Sequence, residues 1–129
     1  EDYLRSSGLD PTLLVLVKIR ASQINGCAYC LDLHQNEAKK LRLTDDRIRS
    51  IESWRSATCF TKKERAALAW TEALTRLSQK TITDEEFQEV RKHFGEKELV
   101  DLTLGVIAIN GWNRLNVGFR SEPMICPAP

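Results

Sequence analysis

The sequence predicts an all-α, single-domain protein of about six helices. Apolar residues recur at helical spacing in several segments, and no segment shows the strict apolar and polar alternation that is typical of a strand. Two capping boxes, in which a threonine is followed three residues later by a glutamate, mark helix starts. With 129 residues, the chain is long enough to bury one hydrophobic core and short for two domains.

The first two predicted helices are separated by an Asn-Gly pair. The first spans residues 10–24, with Asp10 as a favourable N-cap and Pro11 in the first turn, where proline is tolerated. Because this helix is mostly apolar, we expect it to be largely buried. The pair at 25–26 ends it and is expected to cap a second helix over 27–41.

Two more helices follow in the middle of the chain. A Thr-Asp-Asp sequence begins a third helix, predicted over residues 44–54. The capping box of Thr61 and Glu64 then opens a long fourth helix. The apolar side of that helix consists mainly of alanine, which permits close packing against a neighbouring helix.

The remaining elements are two helices and a tail. The capping box of Thr83 and Glu86 begins the fifth helix, for which Gly95 is expected to be the C-cap. The sixth spans residues 96–120 and carries an apolar face made of Leu99, Leu102, Val106 and Ile109. We predict that residues 1–120 form one domain and that residues 121–129, which contain three prolines, form a C-terminal tail.

Composition narrows the class of function. The chain has 19 Lys and Arg against 18 Asp and Glu, and basic and acidic residues are interspersed, which argues against nucleic-acid binding. No apolar run approaches the roughly 20 residues of a membrane span, and the N-terminus lacks the features of a signal peptide. We therefore expect a soluble, cytoplasmic protein.

The main chemical signal is Cys27, Cys30 and His34, which lie at positions i, i+3 and i+7. At 100° per residue these side chains share one narrow face of a helix. A free thiol has a pKa of ~8.5, and a helix N-terminus or a nearby imidazole lowers it. The motif therefore favours thiol redox chemistry. The helix dipole favours Cys27 as the more acidic thiol and the histidine spacing favours Cys30, so both assignments stay open.

Two simpler interpretations of the motif are less favoured. A structural zinc site needs four ligands, usually as two separated pairs, whereas the motif supplies three and His93 is the only other histidine. Buried spectator cysteines would not require a histidine on the same face. The other two cysteines, Cys59 and Cys126, stand alone in the sequence.

Three segments resemble the AhpD-like alkylhydroperoxidases of the carboxymuconolactone decarboxylase family: residues 16–34 with the cysteine motif, 60–69 and 108–115. The resemblance implies an all-helical fold that assembles as a homotrimer or homohexamer. It also implies a thiol-dependent peroxidase that reduces hydroperoxides through a Cys-x-x-Cys disulfide cycle. No bound cofactor or metal is expected, and an external dithiol, such as dihydrolipoamide or a thioredoxin-like protein, would supply the electrons.

The resemblance also assigns roles within the motif. Cys30 matches the cysteine that attacks peroxide, Cys27 its disulfide partner, and His34 the proton-relay histidine. The relay glutamate of the peroxidases, twelve residues before the first cysteine, is replaced by Val15, so Val15→Glu is expected to raise turnover if the missing carboxylate matters. Glu37 could substitute in part, although an exposed surface carboxylate is the favoured interpretation.

Other functions remain as alternatives. A general dithiol oxidoreductase would use the same thiol pair without preferring peroxides. A non-enzymatic, redox-sensing oligomer would use it as a switch. Lactone decarboxylation is a minor alternative, because the decarboxylases proper lack the cysteine pair.

Overall fold

The computed structural model describes residues 1–123, which contain seven helices and no strand. The helices are α1 (Asp2–Ser6), α2 (Pro11–Asn25), α3 (Ala28–Lys40), α4 (Asp45–Ser50), α5 (Lys62–Thr75), α6 (Asp84–Arg91) and α7 (Glu96–Gly118). The all-α prediction is confirmed. The additional helix is α1, whose five residues are too few to show a helical period in the sequence.

The predicted tail falls largely outside the described part of the chain. Residues 121–123 have no regular secondary structure, and residues 124–129 lie outside the described residues. The domain boundary at residue 120 therefore stays a prediction. Within residues 1–123, no helix is both long enough and apolar enough to cross a membrane.

Helix α2 is the centre of the fold and packs against α3, α5 and α7. Nine of its residues are buried, as expected for a helix that is apolar on most sides. Gly105 lies on the side of α7 that faces α2, and a Cβ atom there would lie 2.9 Å from Cδ2 of Leu14, so a larger residue would require the Leu14 side chain to move. The same two helices enclose the cysteine motif.

Two helix caps differ from the sequence predictions. Gly26 ends α2 in the left-handed region at φ 67°, and Cys27, rather than the Asn-Gly pair, is the N-cap of α3. Gly95 is the N-cap of α7, while α6 ends at Arg91 with Lys92 as its C-cap. The φ of −68° at Gly95 is ordinary, so this glycine does not use the left-handed conformation of a C-cap.

The other helix starts agree with the sequence patterns, whereas one helix is shorter than predicted. Both capping boxes are present, with Thr61 and Thr83 as the N-caps. Helix α4 ends at Ser50, and residues 51–56 continue as turns. These turns bury Ile51 and Trp54 against the core instead of extending the helix.

Candidate active site

The two cysteines of the motif are joined by a disulfide at the start of α3, with their Cα atoms 5.3 Å apart. Each cysteine is only 2% exposed and packs with Ala21 and Ile109, from α2 and α7. The motif therefore faces the protein interior, as the helical spacing predicts. The geometry shows that the two sulfur atoms are close enough to cycle between dithiol and disulfide.

The turn between α2 and α3 places Cys27 where a helix N-terminus can act on it. The left-handed Gly26 reverses the chain, and the N–H of Cys27 donates to the carbonyl of Ser22 over 3.0 Å. The Cys27 sulfur then accepts the backbone N–H of Cys30 at 3.3 Å. A sulfur at an N-cap replaces the usual oxygen acceptor, so the unpaired amides of the first turn point towards it.

His34 lies one turn after Cys30 and is paired with a carboxylate. Its Nδ1 atom is 2.8 Å from Oε2 of Glu37, and the side chain is 12% exposed. Because the ionised carboxylate can only accept, Nδ1 carries a proton, and in the neutral imidazole the other ring nitrogen is left as an acceptor. This is the tautomer that a proton-accepting histidine requires.

Glu37 is held by more than this one contact. Its Oε1 atom is 4.0 Å from Nζ of Lys18, whose largely buried side chain comes from α2 and also contacts Glu1 at 3.5 Å. The hydrogen bond from His34, assisted by the positive charge of Lys18, lowers the pKa of Glu37 despite its partial burial. Glu37 is therefore a partly exposed carboxylate that is also paired with His34 and lies near Lys18.

Val15 occupies an apolar environment. It is 0% exposed and belongs to a cluster that also contains Leu16, Ile19 and Ala38. Ala38 is one turn beyond His34 on α3, so this apolar cluster lies beside the helix that carries the histidine. The position at which the peroxidases carry a glutamate is part of the hydrophobic core here, and the carboxylate next to His34 comes from α3 instead.

A network of asparagines fixes α7 against the turn before the cysteines. Asn113 is 0% exposed, donates to the hydroxyl of Ser22 at 3.0 Å and accepts from Asn25 at 2.9 Å. Asn25 also donates to Asn110 at 2.9 Å. Asn113 is buried and Asn25 and Asn110 are partly buried, and their mutual hydrogen bonds tie α2 to α7.

Sequence reasoning missed Asn116. Its Nδ2 atom lies 3.8 Å from the sulfur of Cys30 and donates to the carbonyl of Trp112 at 2.9 Å. A signal was available, since Ile109, Asn113 and Asn116 follow at i, i+4 and i+7 on one face of α7. That face is the one packed against the cysteines.

The remaining candidates lie apart from this constellation or outside the described residues. Cys59 is free and exposed, and Cys126 lies outside the described residues. His93 contacts Glu89 at 3.6 Å. Across residues 1–123, no group of three or more His, Cys, Asp or Glu side chains is arranged to hold a metal ion.

Comparisons with known proteins agree with the helical fold and the motif. Residues 1–73 match the model of the carboxymuconolactone decarboxylase family. The uncharacterized protein YdfG of Bacillus subtilis (strain 168) is 38% identical over 122 residues, which cover 95% of this chain and 83% of YdfG. The uncharacterized protein YnjA of Escherichia coli (strain K12) is 28% identical over 117 residues, covering 91% of this chain and 62% of YnjA.

A solved structure adds a match over almost the whole chain. A protein of unknown function from Agrobacterium tumefaciens, with a suggested assignment as the antioxidant defence protein AhpD, superposes with a TM-score of 0.94 at 40% sequence identity. The match covers 98% of this chain and 86% of the other. The chain therefore belongs to the carboxymuconolactone decarboxylase family and has an AhpD-like fold.

Proposed function

We propose that this protein is a thiol-dependent peroxidase that reduces hydroperoxides through a disulfide cycle of Cys27 and Cys30. The observation that carries the proposal is the disulfide at the start of α3, one turn before a histidine whose Nδ1 is paired with a carboxylate. A redox-active pair, a proton acceptor and its orienting group thus lie on one helix. These are the groups that reduction of a peroxide by thiols requires.

The cycle begins with attack on the peroxide. His34 takes the proton of the Cys30 thiol, and the thiolate attacks the terminal oxygen of ROOH. The O–O bond breaks, Cys30 becomes a sulfenic acid, and the alkoxide takes the proton from His34 to leave as ROH. The thiol of Cys27 then attacks the sulfenic sulfur, which forms the disulfide and releases water.

An external dithiol returns the protein to its reduced state. It transfers two electrons and two protons to the disulfide and becomes a disulfide itself. Because Cys27 and Cys30 are each 2% exposed, a slender dithiol such as dihydrolipoamide reaches them more readily than a folded thioredoxin-like protein. The same burial disfavours a general oxidoreductase acting on protein disulfides.

The test is peroxide consumption in a single turnover. Reduced wild-type protein, freed of reductant and given substoichiometric hydrogen peroxide or an alkyl hydroperoxide, should lose two thiols for each peroxide consumed. Cys27→Ser should stop at a sulfenic acid that dimedone traps, and Cys30→Ser should consume no more peroxide than buffer. The matched control is Cys59→Ser, which removes an exposed thiol and should behave like wild type. Equal consumption by wild type and Cys30→Ser would disprove the proposal.

We also propose that the chain assembles as a homotrimer or homohexamer. In the single chain, α7 exposes large apolar side chains, and exposed apolar surface of this kind marks sites of protein–protein contact. The exposed residues are Val100, Leu104, Ile107, Trp112, Leu115 and Val117. Sedimentation should show an oligomer for wild type and dissociation for Ile107→Asp. Leu77→Asp, at an exposed position beyond α5, should leave the oligomer intact. A monomeric wild type would contradict this proposal.

A further inference from the structure

The side chain of Asn116 is oriented so that it can act on the sulfur of Cys30. Its Nδ2 atom donates to the carbonyl of Trp112 at 2.9 Å, and a carbonyl accepts only a donor, so the nitrogen and not the oxygen faces that side. The amide carries two hydrogens, and the second is available to Cys30 Sγ, 3.8 Å away. Both donors of Asn116 are therefore assigned.

The two sulfur atoms of the motif receive donors from different places. Cys27 Sγ accepts the backbone N–H of Cys30 at 3.3 Å, which the helix N-terminus provides. Cys30 Sγ is contacted by Asn116, 86 residues further along the chain. Within residues 1–123, the N–H donor that contacts Cys30 Sγ is Asn116, and in its absence the helix terminus would favour Cys27 as the thiolate.

We propose that Asn116 is a further catalytic residue, whose side-chain amide donates to the Cys30 sulfur and makes Cys30 the attacking thiolate. A donor next to a sulfur stabilises the anion more than the thiol, and the effect is larger at a site shielded from water. The role in peroxide attack rests on the proposed function. The contact with the sulfur does not, and it can be measured without peroxide.

The same contact assigns the sulfur that the reductant attacks. When a thiolate of the external dithiol bonds to Cys27 Sγ, the S–S bond breaks and its electron pair passes to Cys30 Sγ, which Asn116 stabilises. A better-stabilised thiolate is the better leaving group, so attack at Cys27 is faster than attack at Cys30. The second thiolate of the reductant then displaces Cys27 from the mixed disulfide, which completes the reduction.

The charged and titratable groups that follow Cys30 on α3 are Asp32, His34, Glu37, Lys39 and Lys40. Helix α2 contributes Lys18, which contacts Glu37. After Asp101, the only charged side chain of α7 is Arg114, which is exposed and donates to Asn110. Substitution of Asn116 removes none of these charges.

The experiment measures the rate at which iodoacetamide alkylates each cysteine in the reduced protein as a function of pH, resolved by peptide mass spectrometry. For Asn116→Leu, which has similar size and no donor, the midpoint of the Cys30 profile should rise by about one pH unit, a roughly tenfold loss of thiolate below the midpoint. For Asn116→Asp, whose carboxylate repels the thiolate, the rise should be larger. The Cys27 midpoint should not rise in Asn116→Leu, which introduces no charge.

Phe119→Leu is the matched control, because it changes an exposed apolar side chain at the C-cap of α7, three residues after Asn116. It should leave both profiles unchanged. An unchanged Cys30 midpoint in Asn116→Leu, or an equal rise for both cysteines, would overturn the assignment. A shifted Cys30 profile in a protein that consumes no peroxide would uphold Asn116 and disprove the peroxidase, whereas peroxide turnover with an unshifted profile would do the reverse.

Discussion

Glu72 and Glu37 are both paired carboxylates with a lowered pKa, yet their surroundings differ. Glu72 is 8% exposed and accepts from Arg20 at 2.8 Å, from Trp54 at 3.0 Å and from Arg55 at 2.8 Å. Burial by itself would raise the pKa of Glu72, and these three donors together outweigh it. Glu72 thereby joins α2, α5 and the turns after α4.

Glu37 has a more open environment. Its side chain is 43% exposed, and its short contact is with His34, while Lys18 stays at 4.0 Å. The ring nitrogen of His34 that does not face Glu37 is left to exchange a proton. Glu72, with three short donors, therefore holds separate parts of the fold together, whereas the one short contact of Glu37 orients a single histidine.

The largest effect on stability is expected for Glu72→Ala. The substitution leaves the guanidinium of Arg20, whose side chain is 11% exposed, without its partner, which costs about 3–5 kcal/mol. Urea unfolding followed by circular dichroism measures this loss. Glu37→Ala, which removes the more exposed of the two carboxylates, is the control and should lower the free energy of unfolding by less than about 1 kcal/mol. Equal losses would show that the two carboxylates do not differ in this way.

Val15→Glu tests whether a carboxylate can be placed in the core next to the site. Val15 is 0% exposed among apolar side chains, so the substitution buries a carboxylate in the core whatever its effect on turnover. We expect a loss of about 2–3 kcal/mol of unfolding free energy at neutral pH. Val15→Gln, of the same size without the charge, should lose less. A Val15→Glu protein that is as stable as wild type would contradict this stability prediction, and faster turnover in it would support the relay expectation.

The elements that were predictable from the sequence depend on neighbours close in the chain. The capping boxes at Thr61 and Thr83 join residues three apart, and the face shared by Cys27 and Cys30 follows from helical geometry alone. For the same reason the helical class of the fold was evident.

The features that could not be predicted join distant segments. The contact between Asn116 and Cys30 joins residues that are 86 apart in the sequence, and the hydrogen bond from Arg20 to Glu72 joins residues that are 52 apart. Neither contact follows from local spacing, because both require the packing of α2 against α5 and α7. The contact between Glu37 and His34 was predictable from the sequence, since the two residues lie three apart on one helix. An exposed side chain was nevertheless favoured, because most glutamates in proteins are exposed.

Glu37→Gln should reduce peroxide turnover while leaving the fold intact. Loss of the carboxylate removes the group that holds the proton on Nδ1 of His34, and we expect turnover to fall about tenfold, equivalent to ~1.4 kcal/mol. Steady-state peroxidase assays with a dithiol reductant measure this effect. Glu98→Gln, which removes an exposed carboxylate paired with Lys63, is the matched control and should retain wild-type turnover.

The smallest expected effect is the contribution of Glu37 to the pH dependence of the free energy of unfolding. Because its pKa is lowered in the folded protein, chiefly by the hydrogen bond from His34, the unfolded chain binds its proton first as the pH falls. The contribution of the pair to stability is therefore fully present above the ordinary carboxyl pKa of 4.5 and is lost as the pH falls through the lower folded value. The difference in unfolding free energy between wild type and Glu37→Gln, measured in urea across this range, should stay below about 1 kcal/mol and shrink as the solution is acidified. A difference that grows on acidification would mean that the carboxylate is protonated in the folded protein and does not hold the imidazole.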